Sequence, residues 1–175
     1  MVVLPDNVLF EAGSAGEGVR RRLLEQFVFH TLLRLPTGIF YKQGVKANVL
    51  FFDKRPPRAD GKPNTKVLWI YDFRTNKNFT LKENPLKVSD LDDFVTCYAS
   101  NRAKRKETER FKRFEMADLL KRDKLNLDIF WLKDDSLDDV DSLPPPEVIA
   151  AEIVENLQAA LEAFRSVADE LAETK

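Results

Sequence analysis

The chain is 175 residues long, 33% charged and 43% hydrophobic, a balance that suits one globular domain with its own core and leaves too little for two. Its formal net charge of -1 gives no global attraction to nucleic acid or anionic lipid, so any polyanion must be met by a local patch. One cysteine, Cys97, excludes an internal disulfide, and one histidine, His30, leaves no Cys/His set for zinc; both are read as structural, and hydrolase triads are rejected.

Met1 to Leu4 is apolar and is stopped by Pro5, Asp6 and Asn7, which predicts a short strand. MVVLP lacks the basic start and long apolar run of a signal peptide, and no stretch reaches the roughly twenty apolar residues of a membrane helix, so a cytoplasmic location is expected. Gly13 to Gly18 (GSAGEG) reads as a flexible connection, after which Val19, Leu23, Leu24 and Phe27 recur at helical spacing opposite Arg20, Arg21 and Arg22. A second apolar run, Phe29 to Leu35, follows. Strand, helix, strand is a crossover unit, so Val2 to Leu4 and Phe29 to Leu35 should lie parallel in one sheet.

The stretch Leu35 to Lys54, LPTGIFYKQGVKANVLFFDK, organises the rest. Asn48 to Phe52 is a buried central strand that returns antiparallel, reached through a loop of roughly ten residues, longer than an optimal hairpin. That loop holds Phe40 and Tyr41 beside Lys42, Gln43 and Lys46, flat rings next to positive charge in an accessible place, which suits nucleobase stacking and phosphate contact. Phe40 could equally plug the chain's own core.

Arg55 to Asn64 is an exposed loop, and Lys66 to Phe73 (KVLWIYDF) a strand expected to border the sheet. Ser89 is expected to cap a helix whose apolar face is Leu91, Phe94, Val95 and Tyr98. From Arg102 to Arg113 seven basic residues stand against Glu107 and Glu109, which reads either as a solvated face or as phosphate contacts through Arg102, Lys104 and Arg105. After an acidic loop, Lys133 to Ser142, three prolines lead into one long helix from Glu147 to Lys175. Along it Ala150, Ile153, Leu157, Ala160, Phe164, Val167 and Leu171 form a heptad seam of about three repeats, which calls for a partner helix or for packing on its own domain.

The segments VVLPDNVLF (Val2 to Phe10), LRLPTGIFYKQGVKANVLFF (Leu33 to Phe52), YDFRTN (Tyr71 to Asn76), NLDIFWLKDD (Asn126 to Asp135) and PPPEVIAAEI at the start of the last helix resemble the modification subunit of type I restriction-modification systems. The resemblance implies an α/β fold: residues 1–100 as the C-terminal part of a Rossmann-like methyltransferase sheet with an inserted antiparallel strand, 101–143 as a basic then acidic connection, and 144–175 as a helical tail. It implies DNA adenine-N6 methylation with S-adenosylmethionine in the parent protein. Phe40 stands where such enzymes stack the extruded base, with Tyr41 second and Lys42 and Lys46 as phosphate contacts. Implied partners are DNA, a specificity subunit received by the last helix, a second modification subunit and a restriction subunit.

The family's cofactor turn and Asn-Pro-Pro-aromatic loop lie upstream of a VVLPDNVLF segment, and Gly13 to Gly18 and Asn84-Pro85 do not replace them. These residues alone are therefore expected to bind no cofactor and to supply no catalytic residue, no metal ligand and no activity in isolation. Weak self-association through the edge of the Val2 to Leu4 strand is also expected. A non-enzymatic assembly module, docking through the Ala150 to Leu171 seam, is the competing reading.

Overall fold

Five strands form one sheet in the order β1 (Val2–Pro5), β3 (Ala47–Lys54), β2 (Phe27–Leu35), β4 (Val67–Asp72) and β5 (Phe111–Glu115). The computed structural model describes residues 1–11, 13–41, 45–98 and 101–133, with Ala150, Val154, Leu157, Gln158, Leu161, Phe164 and Arg165 beyond them. The chain divides into two units, Met1–Asp134 and Asp135–Lys175. In the second, the seven described residues are helical and exposed.

β1 and β2 run the same way in one sheet, as the crossover requires, but they are not neighbours. β3 lies between them, antiparallel to both, and the parallel hydrogen-bonded pair is β2 with β4. β4 is not the border strand. The basic stretch ends in β5, which pairs with it antiparallel and takes the edge. Its sequence, FKRFE, hides it: only Phe111 and Phe114 signal a strand, and charge on the outer face is what keeps an exposed edge from recruiting other chains.

Side chains alternate across β3 and β4 and feed two cores. Leu50, Leu68 and Ile70 face Leu24 of α1 (Ser14–Gln26) together with Leu9, Leu119 and Leu127. Val49, Trp69, Tyr71 and Phe73 face Phe94 and Cys97 of α2 (Asp92–Tyr98). In β2 the alternation breaks once. Phe29 pairs with Phe52 and Thr31 with Phe51, so His30 is the extra residue of a β-bulge.

α1 starts at Ser14, so GSAGEG is helical and not a connection. Gly16 is required there, since an added Cβ would stand 2.9 Å from the Glu11 carbonyl oxygen. Nor does Ser89 cap a helix. A 3-10 turn, Val88–Leu91, leads into α2, and the Asp90 carboxylate accepts from the Lys87 backbone N–H at 2.7 Å. The segment 101–133, expected as a connection, contributes β5, the short helix α3 (Met116–Leu119) and the core residues Leu125, Leu127 and Ile129.

Arg20, on the face of α1 read as polar, is 1% exposed. Its guanidinium donates to the carbonyl oxygens of Val8 (3.0 Å), Glu11 (2.9 Å), Lys124 (2.8 Å) and Leu125 (3.1 Å), tying α1 to the turns before it and after α3. Replacing it by Met keeps the bulk and orphans four carbonyls. Arg20→Met is expected to cost about 3 kcal/mol in urea unfolding, whereas a loss within about 0.5 kcal/mol would show that the guanidinium is not what joins these turns.

Candidate nucleic-acid interface

β1, β2 and β4 all end on one side of the sheet, and in open α/β sheets the carboxyl ends of parallel strands are where ligands bind. On that side the sequence places a charged or amide residue at each strand end: Asp6 after β1, Arg34 in β2, Asn48 in β3 and Asp72 in β4. Arg34 is fully buried and pairs with Asp6 (3.1 Å) and with Asp128. It also donates to the Ile129 carbonyl at 3.2 Å, and Asn48 donates to Asp6 at 2.8 Å.

Beside it Arg74 donates to Asp72, Asp128 and the Ile129 carbonyl. Asp72 also accepts the backbone N–H groups of Arg74 (2.9 Å) and Thr75 (3.0 Å), which sets the turn of YDFRTN. Phe130, 65% exposed, lies over the Arg74 guanidinium with 4.1 Å from its ring centre to Cζ.

Burial works to raise the Asp6 pKa, but the Asn48 hydrogen bond and the Arg34 charge outweigh it and hold the carboxyl below its ordinary value. Arg34 is shifted down by burial and by the like charge of Arg74, against the pull of Asp128 and Asp6. Two buried atoms in this lattice, Arg34 Nε and Asn48 Oδ1, have no hydrogen-bond partner among the described residues. None of these residues was picked out as functional from sequence. The one signal was positional: charged and amide residues interrupting otherwise apolar strands.

The loop after β2 leaves from the same end. Phe40 is half-buried against the core that holds Leu33, Leu35 and Tyr71, while Tyr41 is 96% exposed. Lys46 is exposed and its carbonyl accepts from the Asp6 N–H at 3.0 Å, so the loop returns beside the charged lattice. Lys42 lies outside the described residues.

The other expected phosphate contacts do not join this group. Arg102 donates to Asp53 at 2.7 Å, at the far end of β3 from Ala47, roughly 20 Å away along the strand. Lys104 is exposed, and Arg105 is buried. In the tail Ala150, Leu157 and Phe164 are exposed on helical backbone, with Val154 and Leu161, which the seam omitted, exposed beside them; Ile153, Ala160, Val167 and Leu171 lie outside the described residues. Among the described residues no group of three or more His, Cys, Asp or Glu could hold a metal ion, and no helix is long and apolar enough to cross a membrane.

Residues 1–131, the whole sheet and both cores, match the model of a family described as N-6 DNA methylase. The chain belongs to that family. Among curated N-6 methylase relatives, the type I restriction enzyme StySJI methylase subunit of Salmonella typhimurium is 39% identical over 91% of this chain and 36% of its own length. The EcoKI methylase subunit of Escherichia coli is 38% identical over 97% of this chain and 38% of its own length. The chain is thus a type I modification subunit sequence spanning less than two fifths of these relatives. The crystal structure of the EcoKI M protein matches with a TM-score of 0.65 at 34% identity, covering 97% of this chain and 40% of that one. A structure from work on type I complex assembly shares the fold, with a TM-score of 0.58 at 24% identity.

The aromatic loop depends on Gly38. Its φ is +83°, and an added Cβ would sit 1.8 Å from the Phe79 carbonyl oxygen, whereas at Gly61, with φ +66°, nothing lies within 4 Å. Gly61→Ala should cost about 1 kcal/mol of backbone strain alone and Gly38→Ala about 2–4 kcal/mol, compared by denaturant unfolding; equal losses would remove the Phe79 contact as the cause.

Proposed function

We propose that this chain is the target-base end of a DNA adenine-N6 methyltransferase of the type I restriction-modification class, and that its tail docks a specificity subunit. The observation that carries the reading is the aromatic loop, Phe40 half-buried and Tyr41 projecting, at the carboxyl end of the strands in an N-6 methylase sheet.

Methylating an adenine amino group requires the base to leave the duplex and be held while its nitrogen faces the methyl donor. A ring already seated on the core loses little freedom when a base stacks on it, which suits Phe40, and Tyr41 offers a second face. Lys46, and Lys42 beside it in sequence, would meet the flanking phosphates. The lattice of Asp6, Arg34, Asn48 and Asp128 positions the loop's two roots.

S-adenosylmethionine is the methyl donor the family implies. The glycine-rich stretch of this chain does not fit it: residues 14–18 are wound into α1 and Gly16 is closed against Glu11, leaving no cradle. No step is assigned here to residues of this chain through that group.

Docking of the tail is supported by Val154, Leu157, Leu161 and Phe164, four large apolar side chains exposed at spacings of three and four residues. A second modification subunit and a restriction subunit complete the proposed assembly. β1, with a neighbour on one side only, supports weak self-association of the isolated chain. Light scattering should show mass rising with concentration, and a constant monomer mass would dismiss that contact.

The methylation role is tested in a complex reconstituted from the full-length parent subunit and its specificity partner. Phe40→Ala and Tyr41→Ala should lower adenine methylation, by about 10-fold or more for the ring that stacks, without loss of assembly. Ile153→Asp with Leu157→Asp should abolish assembly. Full methylation by both aromatic variants would sink the stacking role and favour the assembly module.

A further inference from the structure

The amino ends of the parallel strands carry a second feature, an open cleft of about 750 Å³ at the opposite end of the strands from the aromatic loop. It is lined by His30 of β2, by Lys66 before β4, by Arg102, Arg105 and Glu107 of the loop before β5, and by Arg113 and Glu115 of β5.

Its charges are unevenly satisfied. Arg102 pairs with Asp53 at 2.7 Å and Arg113 with Glu115 at 2.6 Å. Arg105 pairs with no carboxylate among the described residues, although it is 8% exposed. Its Nε donates to the Tyr98 carbonyl (2.7 Å), and its Nη1 to Thr31 Oγ1 (2.9 Å) and the His30 carbonyl (3.4 Å). Nη2 has no hydrogen-bond partner among the described residues. The rings of Tyr98 (4.8 Å) and Phe111 (5.8 Å) face the guanidinium, but quadrupoles do not neutralise a formal charge. Nη2 is not one of the buried unsatisfied atoms and so opens to the cleft, where an anion would gain a charge-assisted hydrogen bond from it.

His30 stands at the same wall because the bulge turns it and Thr31 to one side. Thr31 Oγ1 accepts from Arg105 and lies in hydrogen-bond contact with His30 Nδ1 at 2.8 Å, while the second ring nitrogen, Nε2, is 3.9 Å from Asp53. Burial first, then Arg102 and Arg105 against the opposing pull of Asp53, push the imidazole pKa down to about 4. Lys66, exposed and in no ion pair among the described residues, supplies a further cation at the rim.

We propose that this cleft is a phosphate-binding site, in which a phosphate group enters between Lys66 and the free Nη2 of Arg105. Phosphate is favoured over a single carboxylate because Lys66 and Arg105 reach the cleft from two separate segments, which a tetrahedral oxyanion can meet at once. The phosphate belongs either to a nucleic-acid backbone or to a free nucleotide. The inference stands independently of the methylation role.

His30 is the one histidine of the chain, so its ring proton resonance reports this cleft alone. The probes are inorganic phosphate, a nucleoside monophosphate and a single-stranded oligonucleotide, each added to the 175-residue chain at fixed ionic strength with chloride as the control. Expected is a saturable shift of the His30 resonance with phosphate but not chloride, and a rise of its pKa above about 4, since the bound anion favours imidazolium. Lys66→Gln should weaken the phosphate effect about 3- to 10-fold, and Arg105→Gln, checked for folding by circular dichroism, should abolish it. A stronger effect of the oligonucleotide than of the nucleotide assigns the backbone source, and the reverse assigns the nucleotide. No phosphate-specific shift, or one unchanged in Lys66→Gln, overturns the site.

Discussion

Arg34 is the interaction on which the ligand end of the sheet depends. One fully buried guanidinium joins Asp6 at the end of β1 to Asp128 in the segment that closes the domain, while Asn48 in β3 reaches the same Asp6. Burying such a charge is unfavourable unless its partners are fixed, and here they come from two chain segments, Asp6 after β1 and Asp128 with Ile129 beyond α3. The lattice therefore trades stability for registration: it leaves Arg34 Nε and Asn48 Oδ1 unsatisfied, yet it sets where β1, β2 and β3 end relative to one another. The aromatic loop is rooted between those ends, so its position is inherited from the lattice and from Gly38 more than from its own residues.

At the other end the governing feature is a single inserted residue. Without the bulge at His30, Phe29 and Thr31 would face the same way and one of the two cores would lose a side chain. With it, Phe29 enters the first core, Leu33 enters the second, and His30 and Thr31 are turned toward Arg105. The contacts of Arg105 with Thr31 and the His30 carbonyl thus follow from how β2 solves its packing.

Much of this fold was legible because its signals were periodic or compositional. The runs around β1, β2, β3 and β4 are apolar and bounded by Pro, Gly or charge, and the helical spacing of α1 marks the helix, although Val19 of its apolar stripe is exposed and Arg20 is buried. What was missed lacked such a signal. β5 reads as charge, since it gives a single ring to each core, Phe111 to one and Phe114 to the other, and charged residues fill its other positions. Strand order was misjudged because crossover logic fixes direction, not adjacency, and an inserted β3 leaves direction unchanged. At the site, Phe40, Tyr41 and Lys46 were visible as types. Arg34, Asp6 and Asp128 were not, because their role exists only when residues far apart in sequence meet at the strand ends.

The separation of these two ends carries its own argument about the basic stretch. Lys46 and Arg102, both expected from sequence to contact phosphate, sit at opposite ends of β3. Two local patches on a chain of net charge -1 can each meet a phosphate without a field that draws in any polyanion. Such an arrangement favours recognition by fit over attraction by charge: one end offers a half-buried ring and an exposed one, the other a cleft into which one nitrogen of Arg105 opens. A nucleic acid bound at the first end would leave the second open, and occupancy of the cleft would then be set by its own chemistry.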